Sequence, residues 1–203
     1  MFRRISTAFL IALVALGALG GAAAADPTTR DPAKAPAGVY ELDRRHASLI
    51  VKIAHMGFSN YTMRFNGITG GFTYDPANWQ STKVTINVDP KSIDTAENGF
   101  NRTVAGYFEP DKYPTITFTS TSLSQTAEGQ GKLAGELTLH GVTKPVTLDV
   151  VFNGAGPGLL GLGTRVGFSG SGQINRRDFG INGGRPFAGD RVDLLFEVEF
   201  VKK

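Results

Sequence analysis

The sequence predicts an all-β fold: antiparallel strands arranged as a sandwich or a closed barrel, with one short helix. Three observations lead there. Apolar residues recur at every second position in segment after segment. The stretches between segments are short and carry Gly, Pro and Asn. One stretch alone switches to helical spacing. Side chains of a strand point alternately to opposite faces, so a period of two gives one dry face and one wet face. That pattern suits antiparallel pairing.

Residues 1–25 stand apart from this pattern. Arg3 and Arg4 open the chain, Phe9 to Leu19 is an apolar run, and Ala23-Ala24-Ala25 is a small-residue cleavage site before Asp26. This is the plan of a secretory signal peptide. The run is too short for a stable membrane span, and no later stretch is apolar enough to hold the mature chain in a bilayer. A bacterial envelope address follows. Residues 26–37, DPTTRDPAKAPA, lack periodicity and are expected to form a flexible leader. From Gly38 onward the pattern is uniform, without internal repeats, so 38–203 is read as one domain.

Eight strand candidates lie near 38–56, 62–75, 81–89, 114–123, 130–140, 143–153, 163–175 and 190–201. Val192, Leu194, Phe196, Val198 and Phe200 alternate with Asp193, Leu195, Glu197 and Glu199. Val146, Leu148, Val150 and Phe152 do the same, as do Val84, Ile86 and Val88. His140-Gly141 reads as a hairpin corner, and residues 153–158, NGAGPG, as a longer turn. The helix falls between strands three and four. Asp94 and Glu97 have the spacing of N-cap and N3 in a capping box, and Phe100, Val104, Tyr107 and Phe108 form one helical stripe. Gly70, Gly135, Gly170 and Gly172 fall on inward faces. They either let strands bend around a packed core or, beside large aromatics, leave a long apolar cavity. Both readings stand on pattern alone.

Composition removes several function classes. The chain of 203 residues has no Cys, which excludes disulfides, thiolate metal sites and a Cys nucleophile. Net charge is +3, and two of the basic residues, Arg3 and Arg4, lie in the targeting segment. With no basic run elsewhere, nucleic-acid binding is not expected. His46, His55 and His140 lack ligand spacing and an acidic cluster, so no metal is expected. Asp43, His46 and Ser48 lie too close along one strand to converge as a hydrolytic triad. Residues 154–158 lack the Lys-Ser/Thr ending of a phosphate loop and open no helix. Arg176, Arg177 and Asp178 form a charged turn, either a solvated corner or a mouth arginine facing an anionic head group.

A run of motifs along residues 40–201 resembles one family. The pieces are YELDRRHASLIVKIAHMGFS, with Asp43, His46, Ser48 and His55 in familiar places, then RFNGITGGFTYD, INVDPKSIDT and FEPDKYPTITFTSTS. GKLAGELTLHGVTKPVTLDV is the most specific, and RRDFGI followed by DRVDLLFEVEF ends the series. In order and spacing these are similar to the YceI-like family of periplasmic, lipocalin-like barrels that bind polyisoprenoid lipids. One stretch departs. Where the family carries a segment like HLRSxDFF, this chain has Asn101-Arg102-Thr103-Val104-Ala105-Gly106-Tyr107-Phe108. The aromatic pair is kept, but the His and Arg have no counterpart in register.

The resemblance implies an eight-stranded antiparallel lipocalin-like barrel whose pore takes an isoprenoid chain, of polyprenyl or quinone type, with no catalytic residues and no cofactor. Candidate pore-lining residues are Phe58, Phe65, Phe72, Phe100, Tyr107, Phe108, Phe118, Phe168 and Phe179. Candidate head-group contacts are His46, His55, Arg64, Arg102 and Arg177. The expected partner is a long-chain isoprenoid or similar amphiphilic lipid, with a homodimer left open. The competing functions are an enzyme acting on the bound lipid or quinone, and a packed barrel serving as an interaction module.

Overall fold

A computed structural model describes residues 28–203. The signal-peptide reading of 1–25 lies outside the described residues. The strands are β1 (Gly38–His55), β2 (Ser59–Phe65), β3 (Ile68–Tyr74), β4 (Val84–Val88), β5 (Ile93–Asp94), β6 (Ile116–Ala127), β7 (Gln130–Leu139), β8 (Val142–Pro157), β9 (Thr164–Asn175) and β10 (Ala188–Lys202). Among the described residues one α-helix, α1 (Asn98–Gly106), lies between β5 and β6.

Eight of these strands close an antiparallel circuit, running β1–β3–β4–β6–β7–β8–β9–β10 and back to β1. Closure leaves that circuit without an edge. β1 serves two partners on one side. Its first residues pair with β3, from Gly38↔Tyr74 to Glu41↔Gly71. Its second half pairs with β2, from Leu49↔Phe65 to His55↔Ser59. β2 and the two-residue β5 therefore form a flap beside one end of the barrel, and α1 packs with them.

Four local expectations need correction. The run at 62–75 is two strands, because Asn66-Gly67 turns the chain and Gly67 O accepts from Asp89 N. Residues 153–157, read as a turn, continue β8 past a bulge and pair with β9 as far as Pro157↔Thr164. The turn falls later, at 158–163. The helix is capped by Glu97 itself: its carboxylate accepts from the Gly99 and Phe100 amides. Asp94 instead accepts from Ala96 N. Those amides, lacking carbonyl partners in the first turn, hold the Glu97 carboxyl below its usual range. Lastly, the segment read as a flexible leader is docked from residue 28 onward. Thr29 pairs with Ala155, Pro32–Lys34 form a 3₁₀ turn, and Ala35 is buried. Tyr40 and Tyr74 donate their hydroxyls to Pro36 O and Pro32 O, fixing the segment across one end of the barrel.

The His140-Gly141 corner is as the sequence suggests. Both residues have positive φ, 53° and 75°, the two-residue turn that matches strand twist. The β1–β2 hairpin turns the same way on Met56 and Gly57, at 51° and 76°.

Candidate functional site

The alternating faces converge on a cavity of about 770 Å³ inside the barrel. That lies within the usual span of small-molecule sites, roughly 300–1,000 Å³. Its wall is the dry face of each strand in turn: Val84, Ile86 and Val88 from β4; Leu133 and Leu137 from β7; Val146, Leu148 and Val150 from β8; Val192, Leu194, Phe196 and Val198 from β10. The space exists because several inward positions have no side chain and their neighbours' rings only partly fill it. The Phe118 ring lies over Gly135, Phe196 over Gly170, and Leu148 over Gly172.

The two ends differ. At one, Tyr40 stacks on Phe72 at 5.1 Å, and Phe72 meets Phe200 edge-on at 4.9 Å and Phe168 at 6.1 Å. The docked segment lies over this cluster, with Asp31, Pro32, Ala33 and Ala35 in the wall, and the exposed Ser124, Gln125 and Gln130 of the β6–β7 hairpin border the cavity beside it, so this end is a floor closed only in part. At the other end, His55, Tyr61, Phe100, Tyr107 and Phe187 surround the cavity. Phe100 and Phe187 are also exposed to solvent, at 40% and 54%, which makes this end the mouth.

Of the nine aromatic candidates, Phe65, Phe72, Phe100, Tyr107, Phe108, Phe118 and Phe168 line the cavity. Phe58 does not. It sits just past the β1–β2 turn, where strand alternation no longer sets direction, and is 84% exposed. Phe179 does not either. The 3₁₀ turn of residues 176–179 buries it in a satellite cluster with Leu139 and Ile181.

Of the charged candidates, only His55 is in the wall. Arg102 is exposed on α1, and Arg64 is exposed on β2, opposite Asp94. Arg177 is exposed and lies 3.4 Å from Asp190. His46 is on the outer surface. A bulge between Leu42 and Ala47 swings it beside Asp43, whose Oδ2 is 2.9 Å from His46 Nδ1. Arg165 donates from Nη1 to the same Asp43 oxygen at 2.7 Å and to Glu199 at 2.8 Å. Arg165 and then His46 hold the Asp43 carboxyl well below the usual carboxylate range. The Asp43, His46 and Glu199 ligand atoms lie within 4.8 Å of one another. A guanidinium already fills the negative site there, so the cluster reads as an ion-pair network. Ser48 sits opposite Glu197 across the β1–β10 pair, and among the described residues no hydrogen bond joins it to His46, so the three do not assemble a triad.

A buried polar wall residue outside the candidate set is Arg176. It is buried, and parity exposes it: two positions after the inward Ile174, it stays on the inner face. Its guanidinium donates to Gly189 O at 2.7 Å, Ala188 O at 3.0 Å and Gly183 O, with Asp190 3.8 Å away. Burial pushes its pKa below the usual arginine value. With these donors directed at backbone carbonyls, Arg176 pins the loop 181–189 at the mouth.

Among the described residues no helix is long and apolar enough to cross a membrane. Comparison with known proteins places this architecture. A UPF0312 protein of Vibrio cholerae is 40% identical over 176 residues, which cover 85% of this chain and 92% of that protein. A YceI protein of Campylobacter jejuni has a solved structure with 29% identity and a TM-score of 0.64, covering 75% of this chain and 91% of that one. A polyisoprenoid binding domain from Saccharophagus degradans shares the fold at 17% identity and a TM-score of 0.61, over 81% of this chain and 98% of that one. The model of the YceI-like domain matches residues 40–200. The chain belongs to the YceI-like family.

Proposed function

We propose that this protein carries or sequesters an isoprenoid-chain lipid in the periplasm, holding the tail in the barrel cavity. The observation that carries the reading is the cavity itself: about 770 Å³, walled by the apolar faces of the strands, open at one end and partly covered by the docked segment at the other. A five-carbon unit gains about 3 kcal/mol on burial, against an association cost of roughly 4–15 kcal/mol. A long tail meets that cost and a small metabolite does not. Binding rather than catalysis fits the polar groups, because Asp43 and His46 are tied to Arg165 on the outer surface, away from the apolar cavity.

The wall also bears on the head group. Arg176, the one arginine in the wall, directs its guanidinium at backbone carbonyls, and Asp31 sits at the floor. Neither arrangement recruits a diphosphate. An uncharged head, a quinone or a free prenol, is the better match.

Native mass spectrometry of protein purified without detergent tests the reading, followed by titration with a long-chain prenol and its diphosphate. A co-purifying isoprenoid and tighter binding of the prenol are expected. Protein that is empty and takes up neither compound refutes the carrier role. Turnover of a bound quinone would move the assignment to an enzyme.

A further inference from the structure

Four large apolar side chains are exposed together at one end of the molecule. Met56 and Phe58 flank the tip of the β1–β2 hairpin, 53% and 84% exposed, and Phe100 and Phe187 stand on α1 and the loop before β10. They form one rim. Met56 N donates to Phe187 O at 2.9 Å, and the Tyr61 ring joins the hairpin strands to Phe100 at 5.8 Å. The left-handed backbone of Met56 and Gly57 makes the tight turn that carries these side chains outward. The rim surrounds the cavity mouth, and Phe100 and Phe187 belong to both.

We infer that this rim is a membrane-docking surface, seated on the face of an anionic phospholipid bilayer while a tail passes between bilayer and barrel. The inference rests on the tail-carrier reading. It commits to a bilayer for two reasons. First, the apolar patch is continuous with the cavity mouth, so an apolar phase against it lets a tail move without crossing water. Second, the two elements that supply Phe100 and Phe187 also present exposed Arg102 and Arg185 beside them. The neighbouring acid Glu97 is engaged at the α1 N-terminus. Apolar side chains bordered by cations suit the interface of an anionic leaflet.

The opposite end supplies a control. Leu160 and Leu162, in the β8–β9 turn, are 88% and 75% exposed but lie outside the cavity wall. The test is co-sedimentation of the purified protein with vesicles of phosphatidylethanolamine and phosphatidylglycerol. The comparison set is wild type, M56D/F58D and L160D/L162D, each checked for folding by circular dichroism. M56D/F58D should lower the vesicle-bound fraction at least roughly tenfold, given the apolar area withdrawn, and L160D/L162D should leave it unchanged. R102Q/R185Q should remove the preference for phosphatidylglycerol and its salt dependence. No binding by wild type, or equal losses in both aspartate pairs, overturns the inference. So does a solution dimer that M56D/F58D dissociates, because the rim's occupant is then a second copy. Uptake of a prenol dispersed in detergent is measured in parallel. M56D/F58D should retain it, since neither residue lines the cavity. If wild type itself takes up no prenol, the carrier reading fails while the vesicle result still decides the docking surface.

Discussion

Replacing Leu194 by Trp tests whether the tail runs the length of the barrel. Leu194 faces the cavity from the middle of β10, opposite Val51 on β1 and Gly172 on β9. The inward residues of β10 run from Val192 near the mouth to Phe200 at the floor. At ~3.3 Å per residue and a strand tilt near 40°, that run is roughly 20 Å along the axis. An extended five-carbon unit with bonds of ~1.5 Å occupies roughly 5 Å, so about four units fit. An indole at 194 projects across the tunnel one step below the mouth and displaces at least one unit. Losing one unit costs about 3 kcal/mol, roughly a hundredfold in Kd. The assay is titration of the folded Leu194→Trp protein with a four-unit prenol, followed by tryptophan fluorescence or native mass spectrometry. A variant with wild-type circular dichroism and undiminished affinity would refute the idea that the tail occupies this cavity.

Two further outcomes follow from particular contacts. A methyl group at Gly170 would run into the Phe196 ring and the Asp149 carbonyl, so Gly170→Ala should lower stability by about 1–3 kcal/mol in urea unfolding; an unchanged midpoint would mean that the ring moves aside freely. Asp43 has its carboxyl depressed by Arg165 and then by His46. Its contribution is therefore complete above the unfolded carboxylate pKa of about 4 and is lost as pH falls below it. Asp43→Asn should flatten the acid limb of the melting-temperature profile and cost about 1–2 kcal/mol at neutral pH, whereas parallel profiles would show that the pair adds nothing to stability.

Much of the barrel is legible in the sequence because strand parity is local. The dry residues of β4, β8 and β10 all read correctly from a period of two, and all reach the cavity. Parity also marks Arg176, two positions after Ile174, but an arginine is ordinarily solvated, and its role depends on carbonyls from residues 183–189 that arrive from a distant loop. Where regular strand ends, the signal ends too. Phe58 and Phe179 qualify as lining residues by residue type alone, and a turn and a 3₁₀ segment direct them elsewhere. The excursion at residues 43–46 could not be read because it depends on pairing with β10. The docking of residues 28–37 was hidden for a similar reason. Its partners are the hydroxyls of Tyr40 and Tyr74 and the backbone of Ala155, none of which leaves a periodic trace in the segment.

The seam between β1 and β10 joins Tyr40 to Lys202, almost the whole length of the domain apart. The first strand to be synthesised therefore waits for the last before it gains its second neighbour. Until then β1 and β9 each present bare amides and carbonyls, and a chain lacking the fifteen residues of β10 would keep both edges permanently open to strand exchange and aggregation. β10 is thus the clasp of the whole cylinder, and insertions within it act on closure itself.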